Sequence, residues 1–307
     1  MKFELKTPSP PLSSLPPLPI RDGVAPSYLW LQNGLWPDML AFLEQQFPHI
    51  EPAIWIDRMR RGEVVDDAGM RLQPDSPYRA GSRIFYYREL EAETPIPFEE
   101  RILHIDEHIV VADKPHFLPV IPAGRFLHET LLVRLKKKLG FAHLTPIHRI
   151  DRETAGVVIF SHNPDSRGAY QSLFQKRAMS KTYEALAPTS ADLEFPLVYR
   201  SRMVEGTPFF RMREVAGEPN SETRIEVLER RGDVTLYRLT PVTGRKHQLR
   251  VHLAALGISI INDPFYPVTL ACKGDDMTLP LKLLARAIGF LDPLSGEPRY
   301  FESGRSL

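Results

Sequence analysis

Cysteine is almost absent from the sequence, and the one that occurs, Cys272, has no second cysteine with which to form an internal disulfide. A disulfide framework and a cysteine-rich zinc site are therefore excluded, and we expect a protein of the reducing cytoplasm. No stretch of about 18 apolar residues occurs, so no transmembrane helix is predicted and no membrane partner is expected. The first 20 residues lack the basic start and unbroken apolar run of a signal peptide.

An excess of charge of one sign is missing as well, because the formal net charge of the 307 residues is only +1. Of the 39 basic and 38 acidic residues, 10 and 15 fall in residues 1–100, and the remaining 29 and 23 fall in residues 101–307. The basic balance of the longer segment is compatible with a phosphate-binding surface. It also lies within the ordinary scatter of globular proteins, so charge alone does not decide between these interpretations.

Proline patterns and hydrophobic periodicity divide the chain into three segments. Residues 1–26 carry repeated prolines and are predicted to form an extended arm. Residues 27–95 are predicted to form a small α/β module, with a helix over 36–47 and a strand over 82–88. An acidic, proline-containing stretch ends this module, and residues 96–307 make up the third and largest segment.

In the third segment, apolar runs of strand length outnumber amphipathic runs of helical length. Helices are predicted over 128–139, 164–177 and 246–256. Strands are predicted over 108–114, 155–161 and 181–187 and near 208–214, 222–230, 233–240 and 282–290. Because several of these strands are joined by short turns, we predict an α+β domain built on a mixed, mainly antiparallel sheet.

One candidate for chemistry is Asp151, in a stretch (IHRIDRETAG) that lies between two apolar runs and is predicted to be a loop. Arg149 and Arg152 flank this acid, and nearby positive charge keeps a carboxylate ionised at neutral pH. An ionised, positioned carboxylate can act as a nucleophile or as a base. On these residues alone, a surface loop with local ion pairs is the more common explanation.

A second candidate is the strand that contains Lys181-Thr182-Tyr183. Strand alternation places Lys181 and Tyr183 on the same face. A tyrosine beside a carboxylate could stack against a base or move a proton, although a half-buried tyrosine in a sheet is more common.

The third candidate is the run TGRKHQLRVHL, which begins at Thr243 and is predicted to turn into a helix. Lys246 and Arg250 are four residues apart, so on a helix they share one face and form a cationic stripe. Such a stripe could pair with a buried acid, bind phosphates or simply face solvent. His247 and His252 are five apart, a spacing that suits metal binding poorly, and we predict no metal site.

In this order and spacing, the three candidates resemble the motifs of the RluA-type RNA pseudouridine synthases. The resemblance runs from about residue 100 to residue 303, and its blocks are DEHIVVADKP (106–115), HRIDRETAG (148–156), KTY (181–183), TGRKHQLRVHLAALG (243–257) and DPFY (263–266). It implies a catalytic domain of the pseudouridine synthase type over residues 96–307, acting on ribosomal or transfer RNA. It also implies that the enzyme needs no metal or organic cofactor, and we expect a monomer.

The resemblance implies a role for each candidate residue. Asp151 would start cleavage of the glycosidic bond, as nucleophile or as base, while Tyr183 stacks on the flipped uracil and Arg250 pairs with Asp151. Arg149 would fill the gap that the flipped base leaves. Contacts to the RNA backbone are expected from Arg152, Lys181, Arg245, Lys246 and His247.

The small module has a resemblance of its own, to the RNA-binding domains named after a small-subunit ribosomal protein. Residues IDRMRRGEV, from Ile56, followed by a turn and AGSRI, carry it. It implies that Arg58, Arg60 and Arg61 meet RNA phosphates. A small domain that merely packs beside the enzyme is the alternative.

Some positions depart from the family pattern: Ile121 and Leu284 each replace an expected histidine, and Asn262 stands where glycine is usual. These departures bear on the substrate more than on the chemistry. Two other functions stay open at this point, a catalytically inactive RNA-binding protein of the same fold and a nucleoside or glycoside hydrolase that uses Asp151. A hydrolase usually needs a second carboxylate, and Glu153 is the only near candidate.

Overall fold

A computed structural model describes residues 16–90, 92–271 and 275–307, and the chain divides into two compact units, Met1–Ala92 and Glu93–Leu307. Residues 1–15 of the predicted arm and Glu91, in the acidic stretch that ends the predicted module, lie outside the described residues. Glu93 belongs to the second unit because its carboxylate accepts hydrogen bonds from the backbone N–H groups of residues 127–129. Among the described residues, no helix has the length and apolar character needed to cross a bilayer.

The first unit packs two helices against a three-stranded antiparallel sheet. Its strands are β1 (Ser27–Trp30), β2 (Val64–Asp66) and β3 (Arg83–Tyr86), in the order β1-β3-β2, and its helices are α1 (Met39–Gln46) and α2 (Pro52–Arg60). Helix α1 begins after Asp38, whose side chain accepts the backbone N–H of Ala41. Trp55, Met59, Leu43 and Ile84 are fully buried in the core of this unit.

The second unit is built on an 11-stranded sheet with the order β10-β9-β11-β12-β8-β13-β7-β5-β4, to which β14 adds beside β13 and β6 beside β7. Its helices are α3 (Leu131–Leu139), α4 (Pro164–Gln175) and α5 (Gln248–Ala255), and its strands are β4 (Arg101–Ile105), β5 (Ile109–Lys114), β6 (Thr145–Pro146), β7 (Ala155–Ser161), β8 (Met179–Pro188), β9 (Leu197–Glu205), β10 (Met212–Val215), β11 (Ser221–Arg231), β12 (Val234–Pro241), β13 (Leu283–Leu291) and β14 (Pro298–Glu302). Strands β7 and β13 pair in parallel, and the other strand pairs described are antiparallel. The predicted α+β fold with a mixed, mainly antiparallel sheet is confirmed.

Strands β5 and β7 are buried along their whole length because both faces of the sheet are covered there. On one face, Val110 and Val158 pack into the cluster that contains the apolar residues of α3. On the other face, Val111 and Ile159 pack against Tyr170 of α4. Burial on two faces explains why these strands read as continuous apolar runs rather than as alternating ones.

Parallel pairing of β13 with β7 brings the two halves of the sheet together at Gly156. A Cβ atom at this position would lie 2.2 Å from the carbonyl oxygen of Ala285, and the backbone has a φ of +116°. Only glycine permits this approach without strain. The loop that contains Asp151 leads directly into this contact.

Candidate active site

A cavity of about 610 Å³ opens in the second unit, between the loop before β7, strand β8 and the start of α5. It gathers the residues of this unit that were predicted to act in catalysis or RNA binding. Those that line it are Arg149, Asp151, Arg152, Lys181, Tyr183, Arg245, Lys246, His247 and Arg250. Residues on three separate segments of the chain therefore meet at one site.

Lys114, at the end of β5, lies beneath the protein surface with no exposed area and contacts the loop that contains Asp151. Its Nζ donates hydrogen bonds to the carbonyl oxygens of Pro115, Leu118 and Arg152, at 3.0, 2.7 and 3.0 Å. Burial lowers the pKa of Lys114 to about 7, against the opposing effect of the nearby carboxylates. The contact to Arg152 ties the loop that contains Asp151 to the segment that follows β5.

Arg250 approaches Asp151 from α5 and is only 1% exposed. Its Nη1 donates to Oδ2 of Asp151 at 3.1 Å, which is the pairing that the family resemblance implied. Its Nε and Nη2 donate to the two carboxylate oxygens of Asp263, at 2.8 and 2.7 Å. Glu153, which is 5% exposed, lies 3.6 Å from the same guanidinium. One buried arginine thus contacts three carboxylates.

Electrostatics keep Asp151 ionised. Burial alone raises the pKa of this carboxyl group, but His247 in its cationic form and the guanidinium of Arg250 outweigh burial, so the pKa lies below its ordinary value. Burial lowers the pKa of His247 itself to about 4, so its imidazole is uncharged near pH 7. Arg250 is therefore the cation that holds the charge of Asp151 at neutral pH. Burial opposes the charge of Arg250 too, yet its hydrogen bonds to Asp263 raise the pKa of the guanidinium.

Tyr183 extends from β8 into the cavity, on the same strand face as Lys181. Burial and the negative charge of Asp151 raise the pKa of the Tyr183 phenol, so the group is neutral throughout the physiological range. Burial, with a smaller effect of Arg177, lowers the pKa of Lys181. A neutral aromatic ring thus lies beside an ionised carboxylate.

The predicted cationic stripe on one helix face is wrong. His247 has a φ of +55°, a left-handed conformation that cannot continue into a helix, and α5 begins only at Gln248. Lys246 consequently precedes the helix and is exposed, whereas Arg250 is buried inside it. The two cations face the same cavity from different depths.

The remaining cations around the cavity differ in what they contact. Arg149 is exposed, and Arg245 is exposed while donating from Nε to the carbonyl oxygen of Asn220 at 3.2 Å. Arg152 lies 3.4 Å from Asp275, which also binds Arg125. Asp275 thus joins two arginines at the edge of the cavity.

In the first unit, the three arginines predicted to meet RNA are in different environments. Arg58 is 4% exposed and donates to Glu89 at 3.2 Å. Arg61 contacts Glu63 and Glu89, both at 2.7 Å. Arg60 is exposed. An RNA phosphate would have to replace a carboxylate at Arg58 or Arg61, so an RNA-binding role stays a prediction for all three.

Sequence reasoning missed the supporting residues of the site, chiefly Lys114, Asp263 and Tyr266. Each belongs to a block that carried the family resemblance, and Lys114 and Asp263 each precede a proline where an apolar run ends. A charged residue in that setting is a usable signal of a buried contact. It does not reveal the partner, which is set by the tertiary fold.

Comparison with known proteins places this geometry in context. A profile of the RNA pseudouridylate synthase family matches residues 108–255. An uncharacterised RNA pseudouridine synthase of Synechocystis is 29% identical over 234 residues, which cover 74% of this chain and 79% of that protein. The dual-specificity RNA pseudouridine synthase RluA of Haemophilus influenzae is 31% identical over 218 residues, which cover 70% of this chain and 97% of that protein.

Two solved human structures are similar in fold. RNA pseudouridylate synthase domain containing 4 superposes with a TM-score of 0.51 at 27% identity, covering 66% of this chain and 87% of that one. RNA pseudouridylate synthase domain containing 1 superposes with a TM-score of 0.57 at 22% identity, covering 70% and 86%. Both likenesses concern the fold, and they support a pseudouridine synthase fold for this chain.

Proposed function

Because this chain belongs to the RluA-type family of RNA pseudouridine synthases, we propose that its cavity receives one uridine of an RNA and that Asp151 begins the isomerisation. The observation that carries the proposal is the hydrogen bond from buried Arg250 to Asp151 at 3.1 Å, inside a cavity that also contains Tyr183. The ionised carboxylate of Asp151 can react with the sugar of a nucleoside, and the aromatic ring of Tyr183 beside it can bind the base.

The isomerisation breaks the bond from ribose C1′ to uracil N1 and forms a bond from C1′ to uracil C5. The uridine must leave the RNA stack so that both sugar and base are reachable. A cavity of about 610 Å³ is within the usual range for a bound small molecule, and it accommodates a nucleoside. Exposed Arg149, at the edge of the cavity, is suited to fill the space that the base vacates.

Asp151 can begin the reaction in two ways. As a nucleophile, it attacks C1′, and the electrons of the broken bond pass to uracil N1. As a base, it takes a proton from the sugar while the same bond breaks. In the first route C5 then attacks C1′ and displaces Asp151, and in the second C5 bonds to C1′ while Asp151 returns its proton to the sugar. In both routes uracil turns before C5 bonds, N1 gains a proton and C5 loses one, so the atoms balance without an added reagent.

Tyr183 is assigned to uracil. Its ring stacks on the base, where aromatic side chains hold unstacked nucleobases. The raised pKa of the phenol supports stacking over proton removal from C5, because only the phenolate would be an effective base.

The hydrolase alternative has no observation in its favour. Glu153, the candidate second carboxylate, is 5% exposed and faces the guanidinium of Arg250 rather than the cavity. A general acid or a water-activating base must reach the substrate. Glu153 therefore belongs to the support of Arg250.

We also propose the cellular setting of the reaction. The substrate is a structured ribosomal or transfer RNA, bound by Arg149, Arg152, Lys181, Arg245 and Lys246 around the cavity. The protein acts as a monomer in the cytoplasm. The presence of a single cysteine supports a reducing compartment.

The test is to map pseudouridines in RNA from cells that lack the gene, and then to restore the gene as wild type, Asp151→Asn or Asp165→Asn. Asp165 is an exposed acid at the start of α4, so its variant controls for the loss of one charge. We expect wild type and D165N to restore the missing pseudouridines and D151N to restore none. Restoration by D151N would disprove the catalytic assignment, and release of free uracil from RNA by the purified enzyme would favour the hydrolase.

A further inference from the structure

We infer that His247 is a positioning residue that orients the carboxylate of Asp151, so that its main role is not that of an RNA phosphate contact. The inference rests on the proposed role of Asp151. The Nε2 atom of His247 lies 3.9 Å from Oδ1 of Asp151, whereas Arg250 contacts Oδ2. Each carboxylate oxygen therefore faces a different nitrogen donor.

The imidazole is fixed by its neighbours. His247 stacks on Phe265 with ring centres 5.8 Å apart, and its side chain is 7% exposed. Its Nδ1 lies 2.9 Å from the hydroxyl of Tyr266. The left-handed backbone at His247, directly before α5, turns the side chain back toward the loop that contains Asp151.

The contacts of Tyr266 and the charge of Asp151 together favour one position for the imidazole proton. The Tyr266 hydroxyl oxygen accepts the backbone N–H of Met212 at 2.8 Å, and its own hydrogen can be donated to Nδ1 of His247. A neutral imidazole that accepts at Nδ1 carries its proton on Nε2. The opposite tautomer would turn a lone pair toward the negatively charged Asp151. Tyr266 and Asp151 together therefore favour the form that points an N–H at the carboxylate.

A separation of 3.9 Å exceeds a hydrogen bond, and catalytic contacts often tighten only in the substrate complex. The charged donor Arg250 engages Oδ2 strongly, whereas the neutral donor faces Oδ1 across a gap. Oδ1 thus keeps more of its reactivity, and we assign it as the oxygen that meets the ribose. The N–H of His247 faces Oδ1 without engaging it and so limits the directions in which this oxygen can turn.

Phosphate binding suits His247 less well than its neighbours. The imidazole is largely buried and uncharged near pH 7, while Arg245 and Lys246 are exposed cations directly before it in the chain. Backbone phosphates are bound chiefly by exposed cationic and polar groups. Within the run RKH, we therefore assign Arg245 and Lys246 to RNA binding and His247 to orientation of the Asp151 carboxylate.

The test compares His247→Phe, His247→Gln and Tyr266→Phe in the full-length protein. Phenylalanine keeps the ring stacked on Phe265 but removes both nitrogens, whereas the amide of glutamine restores an N–H near the position of Nε2. The measurements are the single-turnover rate constant at saturating RNA, the Kd for the same RNA and the thermal unfolding midpoint.

We expect H247F to lower the rate constant on the order of 100-fold, the loss that follows when a reacting group is misplaced by about 1 Å. H247Q should recover part of that loss. Y266F should lower the rate constant on the order of tenfold, because loss of the Tyr266 hydroxyl lets the imidazole adopt either tautomer but leaves the ring in place. The Kd should change by less than about twofold in all three variants, since no phosphate contact is removed. Lys246→Gln provides the contrast, with a higher Kd and a shallower salt dependence.

A wild-type rate constant in H247F together with a raised Kd would overturn the inference, as would an H247Q rate no better than that of H247F. If H247F does not fold, the test is the single-turnover rate constant of Y266F relative to that of wild type, and equal rate constants would contradict the inference. D151N measured in parallel separates the two proposals: an active D151N refutes the proposed function, whereas an inactive D151N with an unchanged H247F refutes only the role of His247.

Discussion

Asp263 binds Arg250 through two parallel hydrogen bonds, from Nε at 2.8 Å and from Nη2 at 2.7 Å. The same carboxylate accepts the backbone N–H groups of Phe265 and Tyr266, at 2.8 and 3.1 Å. The backbone of its own turn therefore fixes the Asp263 carboxylate, and the carboxylate fixes the plane of the Arg250 guanidinium. Because the guanidinium plane is fixed, the direction of the hydrogen bond from Arg250 to Asp151 is fixed as well.

Asp263→Asn should lower both the rate and the stability. An amide cannot accept both guanidinium bonds, and it leaves a buried cation less compensated, at a cost of about 3 kcal/mol in the free energy of unfolding. The single-turnover rate constant should fall about tenfold or more, because Arg250 no longer aims at Asp151. Urea unfolding and rapid-quench measurement of pseudouridine formation check the two effects.

The control is Asp292→Asn, at a buried acid after β13 that accepts the hydroxyl of Tyr170. This variant also loses stability, but it lies away from the cavity, and its rate per folded molecule should match wild type. A wild-type rate in folded D263N would show that Asp263 serves only stability.

Asp151, His247 and Tyr183 should give the reaction rate no pH dependence from about pH 5 to about pH 9, so a change near pH 7 would come from buried Lys114, whose pKa is about 7. The pKa of Asp151 is lowered, so its charge is lost only below the ordinary range of aspartate, and burial keeps the pKa of His247 at about 4. The pKa of Tyr183 is raised, so its phenol stays neutral as pH increases. Single-turnover rates at saturating RNA, measured across this range for wild type and Tyr183→Phe, test the expectation. A wild-type rate that climbs above pH 9, with no such climb in Y183F, would make the phenolate a base.

Asp275→Asn should strengthen RNA binding. The carboxylate of Asp275 engages Arg125 and Arg152 at the edge of the cavity, and its removal takes one competitor for phosphate away from both cations. We expect the Kd to fall about fivefold at low salt, with a steeper dependence on salt concentration. Asp276→Asn removes the same charge from a carboxylate that contacts Thr278. Equal effects of the two variants would mean that net charge, and not the release of the arginines, controls binding.

Gly156→Ala should destabilise the second unit. The new Cβ would collide with the backbone of Ala285 at a φ that side chains avoid, which costs about 3 kcal/mol or more. Gly168→Ala is the matched change, because Gly168 lies inside α4, where an added Cβ would meet nothing within 4 Å, and the helix gains about 0.5–1 kcal/mol. Chemical unfolding of both variants measures the difference, and equal stabilities would contradict the close contact of β7 with β13.

Sequence patterns predicted the strands in which every residue is buried. Strands β5 and β7 are buried on both faces, so their apolar runs were visible. Strands β4 and β9 were missed because they alternate exposed and half-buried residues and carry charged side chains, as in LVYRSRMVE. The start of α5 was misplaced because the left-handed backbone of His247 has no signature in the residue pattern.

The site was predicted only in part, for a similar reason. Asp151, Tyr183 and Arg250 stand in motifs whose order could be compared with a family. The contacts that give them their properties, such as Lys114 with the carbonyl of Arg152 or Met212 with Tyr266, join distant segments. Sequence shows which residues are present, whereas the distances between them arise from the sheet.

The position of β13 between β8 and β7 has a consequence for biosynthesis. Tyr183 stands on β8 and Asp151 just before β7, yet the strand that joins them, Leu283–Leu291, is translated long after both. While the ribosome is still making that strand, the nascent chain contains every proposed catalytic residue but lacks their geometry. Pseudouridine formation should therefore begin only once β13 has emerged and docked, which makes activity a late event in the folding of this enzyme.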